Sequence, residues 1–426
     1  MTVFTGKTNF TSYDGNARTL AKAAPMSLFP AHDSSDAIME TMKEVLLNTC
    51  KYNISVLQDS IDYLDAGDSE TVYYDYGSRP TSEAINGISI ALTTGIWDAS
   101  HTGVSEDAAI AMCIDGMRAL NECYIKAPYW NHIRQSAMYA GSMGRAAWML
   151  WNYMTDAQQT ATLATVLAEA NRIVALAVEY CDLEGKDTDG ETLAWDSTVL
   201  RVAHNLCANH PSAQTWRNHL IKLELSCLAT PSDTTSETVI EGQKVCDWVD
   251  GFNACDDGRL FNHGVVHPDY YACIIYYIQE SKTSANIRYG LGCTGSFDFN
   301  CEKFWQYLTS HDHDTETYLS PGGTVYAQDG WYEIYYPGGS VWSINSELQD
   351  QFMLLDCCAH REGWDSLVST TALDWIASRV ARIKVMQERH TDLHTYATGE
   401  FPNCPAREQE SCARIADAYL TYRGAA

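Results

Sequence analysis

Basic residues are scarce in this 426-residue sequence: 28 lysines and arginines stand against 55 aspartates and glutamates, for a formal net charge of −27. A field of that sign repels nucleic acid and anionic membranes, so neither is expected as a partner. It also argues mildly against a strongly anionic polymer as substrate unless a local basic patch offsets it. Long apolar runs are missing too. No window of eighteen uncharged apolar residues occurs, so no transmembrane helix is expected. The opening residues, Met1–Lys7, lack the apolar core of a secretory leader, and no leader is expected there. There is no C-x-x-C pair and no C-x-x-C-H, which removes support for zinc ribbons, thioredoxin-type redox sites and c-type haem. Walker A and G-x-S-x-G motifs are absent, against P-loop and α/β-hydrolase chemistry. Strand patterns are sparse.

Cysteine is abundant, with fifteen residues. Three short-range pairs flank loop-like sequence and are expected as local disulfides: Cys246 with Cys255, Cys293 with Cys301, and Cys404 with Cys412. Two glycosylation sequons, Asn9-Phe10-Thr11 and Asn53-Ile54-Ser55, point the same way. Together with the acidity they lead us to expect a secreted, extracellular protein.

Most of the chain reads as helix. After an irregular arm over residues 1–33, Asp33-Ser34-Ser35-Asp36 is a helix start, and Ile38, Met42, Val45, Leu46 and Cys50 recur at helical spacing. Helices are expected at 36–62, 81–96, 105–125, 130–153, 156–181, 188–208, 212–228, 237–248, 268–281, 299–310, 341–359, 364–388 and 405–423. Gly87 and Gly95 are expected to let their helix pack closely on a neighbour. A β-hairpin around Asp329-Gly330 is expected as a small insertion. The fold class expected is all-α: one helical domain over residues 34–426, a barrel of about six helical hairpins.

One stretch mixes residues that an apolar helix face does not need. Asp256 to Tyr271 holds Asn262, His263, His267, Asp269, Tyr270 and Tyr271, with turns expected at Gly258 and Gly264 and a helix opened by Pro268. Asn262, His263 and His267 are expected to line a pocket at that helix's start. Tyr270 and Tyr271 point in different directions on a helix, so only one of them faces it. Four other stretches combine aromatics with polar groups: 73–79, 129–135 with Trp130 and Arg134, 187–196 with Glu191 and Trp195, and 326–342 with Trp331, Tyr332 and Tyr335. Indole and phenol faces stack on sugar rings while amides, carboxylates and guanidinium groups bond hydroxyls. A poly- or oligosaccharide is therefore the expected partner. No cofactor is expected. His311-Asp312-His313-Asp314 has the chemistry for a structural divalent metal but lacks further ligands.

The runs Asp189 to Trp195, Asn262-His263-Gly264, His267-Pro268-Asp269-Tyr270 and Tyr336 to Trp342 resemble those of the (α/α) toroid polysaccharide lyases, the heparinase II/III-like and alginate-lyase-like proteins. The resemblance spans about residues 35–390. This sequence departs from that pattern in ending where those families add a β-sandwich. The resemblance implies β-elimination at a uronate. Asn262 would bond the carboxylate and stabilise the enolate-like intermediate. His263 or His267 would be the base, and a tyrosine the acid, or both base and acid on a syn substrate. Tyr270, Tyr271, Tyr332 and Tyr335 are the candidates for that acid. Arg134 would add positive charge, and Trp130, Glu191, Trp195, Trp331 and Tyr335 would bind substrate. Two other readings stay open. A glycoside hydrolase would draw a carboxylate pair from Asp189, Glu191, Asp196, Asp257, Asp269 and Asp329. A glycan-binding protein without catalysis needs no convergent set at all.

Overall fold

The computed structural model describes residues 17–66, 77–126, 130, 135–339, 348–397 and 407–425. Twelve helices of ten residues or more carry the fold among these residues: α1 (Ala37–Ala66), α2 (Ser78–Thr93), α3 (Glu106–Lys126), α4 (Ser136–Leu150), α5 (Asp156–Val174), α6 (Gly190–Leu206), α7 (Ala213–Cys227), α8 (Pro268–Tyr289), α9 (Cys301–Ser310), α10 (Gln349–Glu362), α11 (Ala372–Glu388) and α12 (Arg407–Arg423). The structure is thus mostly helical, as the apolar periodicity requires.

Local chemistry sets several of the helix starts. Asp36 Oδ1 accepts from the backbone N–H groups of Ile38 and Met39 at 2.8 and 3.1 Å and so starts α1. Reciprocal capping boxes join Thr155 to Gln158 at α5 and Thr371 to Asp374 at α11. Pro268 opens α8, where its missing N–H costs nothing.

The even-numbered helices are buried on nearly all sides, and the odd-numbered ones mostly on one face. α2 packs on α4, α4 on α6, α6 on α8, α8 on α10, α10 on α12, and α12 back on α2. Outside them α1 packs on α3, α3 on α5, α5 on α7, and α11 on α1. A helix buried all round is usually apolar. These instead carry charge inward and pair it: Arg145 of α4, 1% exposed, lies 2.7 Å from Glu280 of α8 and 2.5 Å from Asp417 of α12.

Several expectations need correction. Segment 237–248 is not one helix. Val239–Ile240 and Gln243–Lys244 form a two-stranded hairpin (β1, β2), followed by a single helical turn, Val245–Trp248. Its turn, Glu241-Gly242, has both residues in the left-handed region, a signal the helical reading passed over. Around Asp329-Gly330 the pairing shrinks to one antiparallel bridge between Tyr326 and Ile334. Cys246, Cys255, Cys293 and Cys301 are free thiols, so two of the expected disulfides are not formed. The partner proposed for Cys412, Cys404, lies outside the described residues, as does Asn9. Asn53 is fully buried in α1, its amide donating to the carbonyls of Thr49 and Glu408, and offers no access for a glycan in the folded chain.

Candidate functional site

The polar stretch folds as a hairpin running into a helix. Phe261–Asn262 (β3) pairs antiparallel with Val265–Val266 (β4). The two residues between them, His263 and Gly264, have φ of 52° and 74°. Left-handed backbone at both positions is what a two-residue turn of the right twist demands. Glycine adopts it freely, and histidine is among the few side chains found there. The loop ahead of α6 fixes the hairpin: Gly264 N–H donates to Asp187 at 2.7 Å, and Thr188 N–H to the Phe261 carbonyl at 2.8 Å.

That docking brings five of the expected residues together. The buried amide of Asn262 donates to Glu191 Oε1 at 3.2 Å. His263, exposed at the turn, has Nε2 2.8 Å from the phenol oxygen of Tyr270. His267 packs behind them, its ring 5.0 Å from that of Tyr270 and 5.9 Å from that of His263. It is wholly buried, and neither ring nitrogen makes a hydrogen bond. Nδ1 lies 3.8 Å from Asp269 Oδ2, too far for one. Burial, then His263, pushes the His267 imidazole down to about 4, so it is neutral. Tyr270 is pushed upward by burial and by Glu191, Cys273, Asp269 and Asp187, and keeps its proton.

Behind this group the N-terminal ends of four helices contribute charge. Burial raises Asp269 to about 6, against the hydrogen bond from Tyr336 and the charges of Arg407 and Arg414. Tyr336 donates to Asp269 Oδ1 at 2.7 Å. In α12, Arg414 reaches Tyr276, Glu410 and Asp350, and Arg407 pairs with Glu410. Arg79 of α2 also pairs with Glu410, and Tyr396 donates to Asp350 at 2.6 Å. Glu408 accepts from the backbone of Thr395 and Tyr396, and burial lifts it to about 7. Three guanidinium groups therefore pair with Glu410, and two of them act on Asp269, with Glu191, Asp350 and Glu408 as further carboxylates nearby. The arrangement can bind a polyhydroxylated ligand, donate a proton from Tyr270 or Asp269, and accept one at His263.

Other expected residues fall elsewhere. Trp130 is fully buried and edge-on to Tyr124 and Tyr139, so it is a packing residue rather than a sugar platform. Trp331 is half exposed, and Tyr332 lies beside it under Arg382 of α11; neither touches the His263–Tyr270 group. The Tyr335 phenol donates to the Leu319 carbonyl and its ring neighbours His313. Trp195 is partly buried, one helical turn beyond Glu191 on the same face. Tyr271 points away, bridging Leu260 N–H and the Gly258 carbonyl. Arg134 lies outside the described residues. His311 and His313 sit with ring centres 4.7 Å apart, but no third ligand-type side chain joins them among the described residues.

Tyr336 was expected only as part of the 326–342 stretch, and Asp350, Arg407, Glu410 and Arg414 were not anticipated. For the last three a signal existed. Arg407, Glu410 and Arg414 share one face of a helix whose other residues also leave no solvated side. No protein-family model matches the chain, and a search of curated proteins finds no relative.

Proposed function

We propose that the twelve helices form an (α/α) toroid of six hairpins, and that the chain is a carbohydrate-active enzyme working at the N-terminal ends of α6, α8, α10 and α12. The unbroken circuit of contacts from α2 through α12 and back supports the architecture. The reaction proposed is β-elimination in a uronate-containing glycan. The observation that carries it is the 2.8 Å contact between His263 Nε2 and the Tyr270 phenol, beside Asn262, at an exposed turn.

In this reading Asn262 holds the uronate carboxylate, with Arg79, Arg407 and Arg414 supplying charge behind it. His263 takes the C5 proton. Tyr270, kept protonated by its surroundings, gives its proton to the leaving oxygen as the C4–O bond breaks and the C4–C5 double bond forms. The imidazolium then returns a proton to the phenolate across their hydrogen bond, which restores both groups. The test is a panel of uronate polymers followed by ultraviolet absorbance of the conjugated product. Turnover without that absorbance, seen as new reducing ends alone, would reject elimination.

That second outcome has its own support. Asp269 at about 6 is poised as an acid beside several other carboxylates, as a glycoside hydrolase requires. A site with five carboxylates and three guanidinium groups also suits a neutral sugar.

A further inference from the structure

A cavity of about 200 Å³ lies at the opposite, C-terminal end of α6 and α8, against α7. Its floor is built from buried polar groups. Glu224 of α7 is 1% exposed; Oε2 accepts from Ser296 Oγ at 2.5 Å, the Ser281 hydroxyl also bears on the carboxyl, and Oε1 has no partner of good hydrogen-bond geometry. Asn205 Nδ2 of α6 is likewise buried without a partner, as is Arg201 Nε. Leaving such groups unsatisfied costs about 1–3 kcal/mol each, so a ligand that satisfies them is favoured. Leu220, Ile221 and Phe297 form an apolar wall, and Tyr289, 62% exposed, stands at the rim.

The charges at this cavity are already balanced. Arg201 pairs with Glu280, and Arg217 with Glu241 at 2.6 Å. The adjoining loop, Gly290-Leu291-Gly292-Cys293-Thr294-Gly295, has the G-x-G-x-x-G spacing of a phosphate-binding turn. Here it follows a helix rather than a strand, and three of its amides are committed: Gly290 N–H donates to the Asn286 carbonyl, Cys293 N–H to the Asn286 side chain and Gly295 N–H to Asp298. The two arginines that line the cavity are thus already paired with carboxylates, which disfavours an anion there. A hydroxyl can donate to Glu224 Oε1 and a second oxygen can accept from Asn205 Nδ2, with the C–H face of a ring on the apolar wall. The volume is below the roughly 300 Å³ at which drug-sized sites begin, which limits the ligand to about one ring.

We propose that this cavity is a binding site for a neutral hydroxylated small molecule of monosaccharide size, separate from the site at the other end of the helices. Burial raises Glu224 to about 7, which keeps the floor near neutral in mildly acidic solution and agrees with an uncharged ligand.

The test is calorimetry and saturation-transfer NMR on the full chain with glucose, galactose, mannose, xylose and inositol. Glucuronate and inorganic phosphate serve as anionic comparisons. At least one neutral compound should bind saturably. Ala285→Leu, which fills the cavity, and the isosteric Asn205→Asp should each weaken it at least ten-fold, while His263→Ala leaves it unchanged. Near-UV circular dichroism reports folding, and if Ala285→Leu does not fold, Asn205→Asp decides. No saturable binding by any neutral compound, equal affinity in the variants, or tighter binding of an anion would overturn the proposal. So would loss of binding in folded His263→Ala, since the ligand would then sit at the other site.

Discussion

The phenol of Tyr336 donates to Asp269 Oδ1 at 2.7 Å, joining two residues 67 positions apart. Asp269 Oδ2 makes no hydrogen bond, so Tyr336 is the side chain that satisfies this buried carboxyl. The bond favours the ionised form, and it opposes the rise that burial imposes. Tyr336→Phe should therefore move Asp269 above about 6 and cost about 1–3 kcal/mol of stability, with a larger loss at pH 8 than at pH 5. Denaturant unfolding at the two pH values checks this. An equal loss at both, or none, would mean that the bond does not bear on the charged form.

His263 and Tyr270 are expected to act as a unit. His263→Ala and Tyr270→Phe should each lower turnover by roughly 10²–10⁴-fold. The double variant should be little worse than either single one, because removing one partner already breaks the proton return. Multiplicative losses in the double variant would show that the two side chains contribute separately. Full turnover in both single variants would move the chemistry elsewhere.

How far the sequence led to this site depended on whether its parts were close in the chain. Asn262, His263, His267 and Tyr270 were readable because a turn and a proline sit between strand-like and helix-like residues, and such signals are local. The contact of Asn262 with Glu191 required knowing that the hairpin docks on the loop before α6, which no local pattern encodes. The same holds for Tyr336. It stands in a Tyr-rich run where neighbours point to different environments, and sequence gave no means of ranking it above Tyr332 or Tyr335. Trp130 failed for the opposite reason: an aromatic beside polar residues reads as a sugar platform until its neighbours, Tyr124 and Tyr139, are seen to enclose it. Helix periodicity located most of the elements, but the paired charges inside the even-numbered helices break the apolar pattern and were invisible until the helices were assembled.

Arg145 is the clearest of those pairs. Its guanidinium bridges Glu280 and Asp417 while almost fully buried. Arg145→Met keeps much of the volume but leaves Asp417 without its cation, beside a Glu280 that keeps only Arg201. The expected loss is about 3–5 kcal/mol, the usual result of removing one partner from a buried ion pair. Adding Asp417→Asn, which neutralises the carboxylate left unpaired while Glu280 stays with Arg201, should recover much of it. Failure of that rescue would assign the damage to packing instead.

Stability should fall as pH rises from 6.5 to 8.5. Glu83, Glu224 and Glu408 are each raised by burial from 4.5 to about 7. In the unfolded chain they are ionised well below pH 6.5, whereas the folded chain still holds their protons there. The folded state thus binds more protons, and raising pH through 7 removes its advantage. The depressed histidines His204, His267 and His313, at about 4, act in the opposite sense, but their effect is nearly complete by about pH 7.5 and only partly offsets the fall. Melting temperature followed across the window is the measurement, and a flat or rising curve contradicts the assignment. Glu83→Gln should flatten part of the slope.

Gly87 sits where α2 meets α12. A Cβ built on it would lie 2.6 Å from both the carbonyl oxygen and the sulfur of Cys412 in α12. The close approach expected from sequence is therefore real at Gly87. At Gly95 it is not: that residue has φ of 74° with nothing within 4 Å of an added Cβ, and it ends the helix in a left-handed turn. The two substitutions should behave differently. Gly95→Ala should cost about 1 kcal/mol through backbone strain alone and leave the helix contacts intact. Gly87→Ala meets backbone, which cannot rotate aside, and should cost about 1–3 kcal/mol or more by forcing α2 away from α12. Because that seam also carries the pairing of Arg79 with Glu410, Gly87→Ala should reduce activity beyond its effect on stability, and Gly95→Ala should not. Equal effects on folding and turnover from the two variants would mean that the seam between α2 and α12 does not position the site.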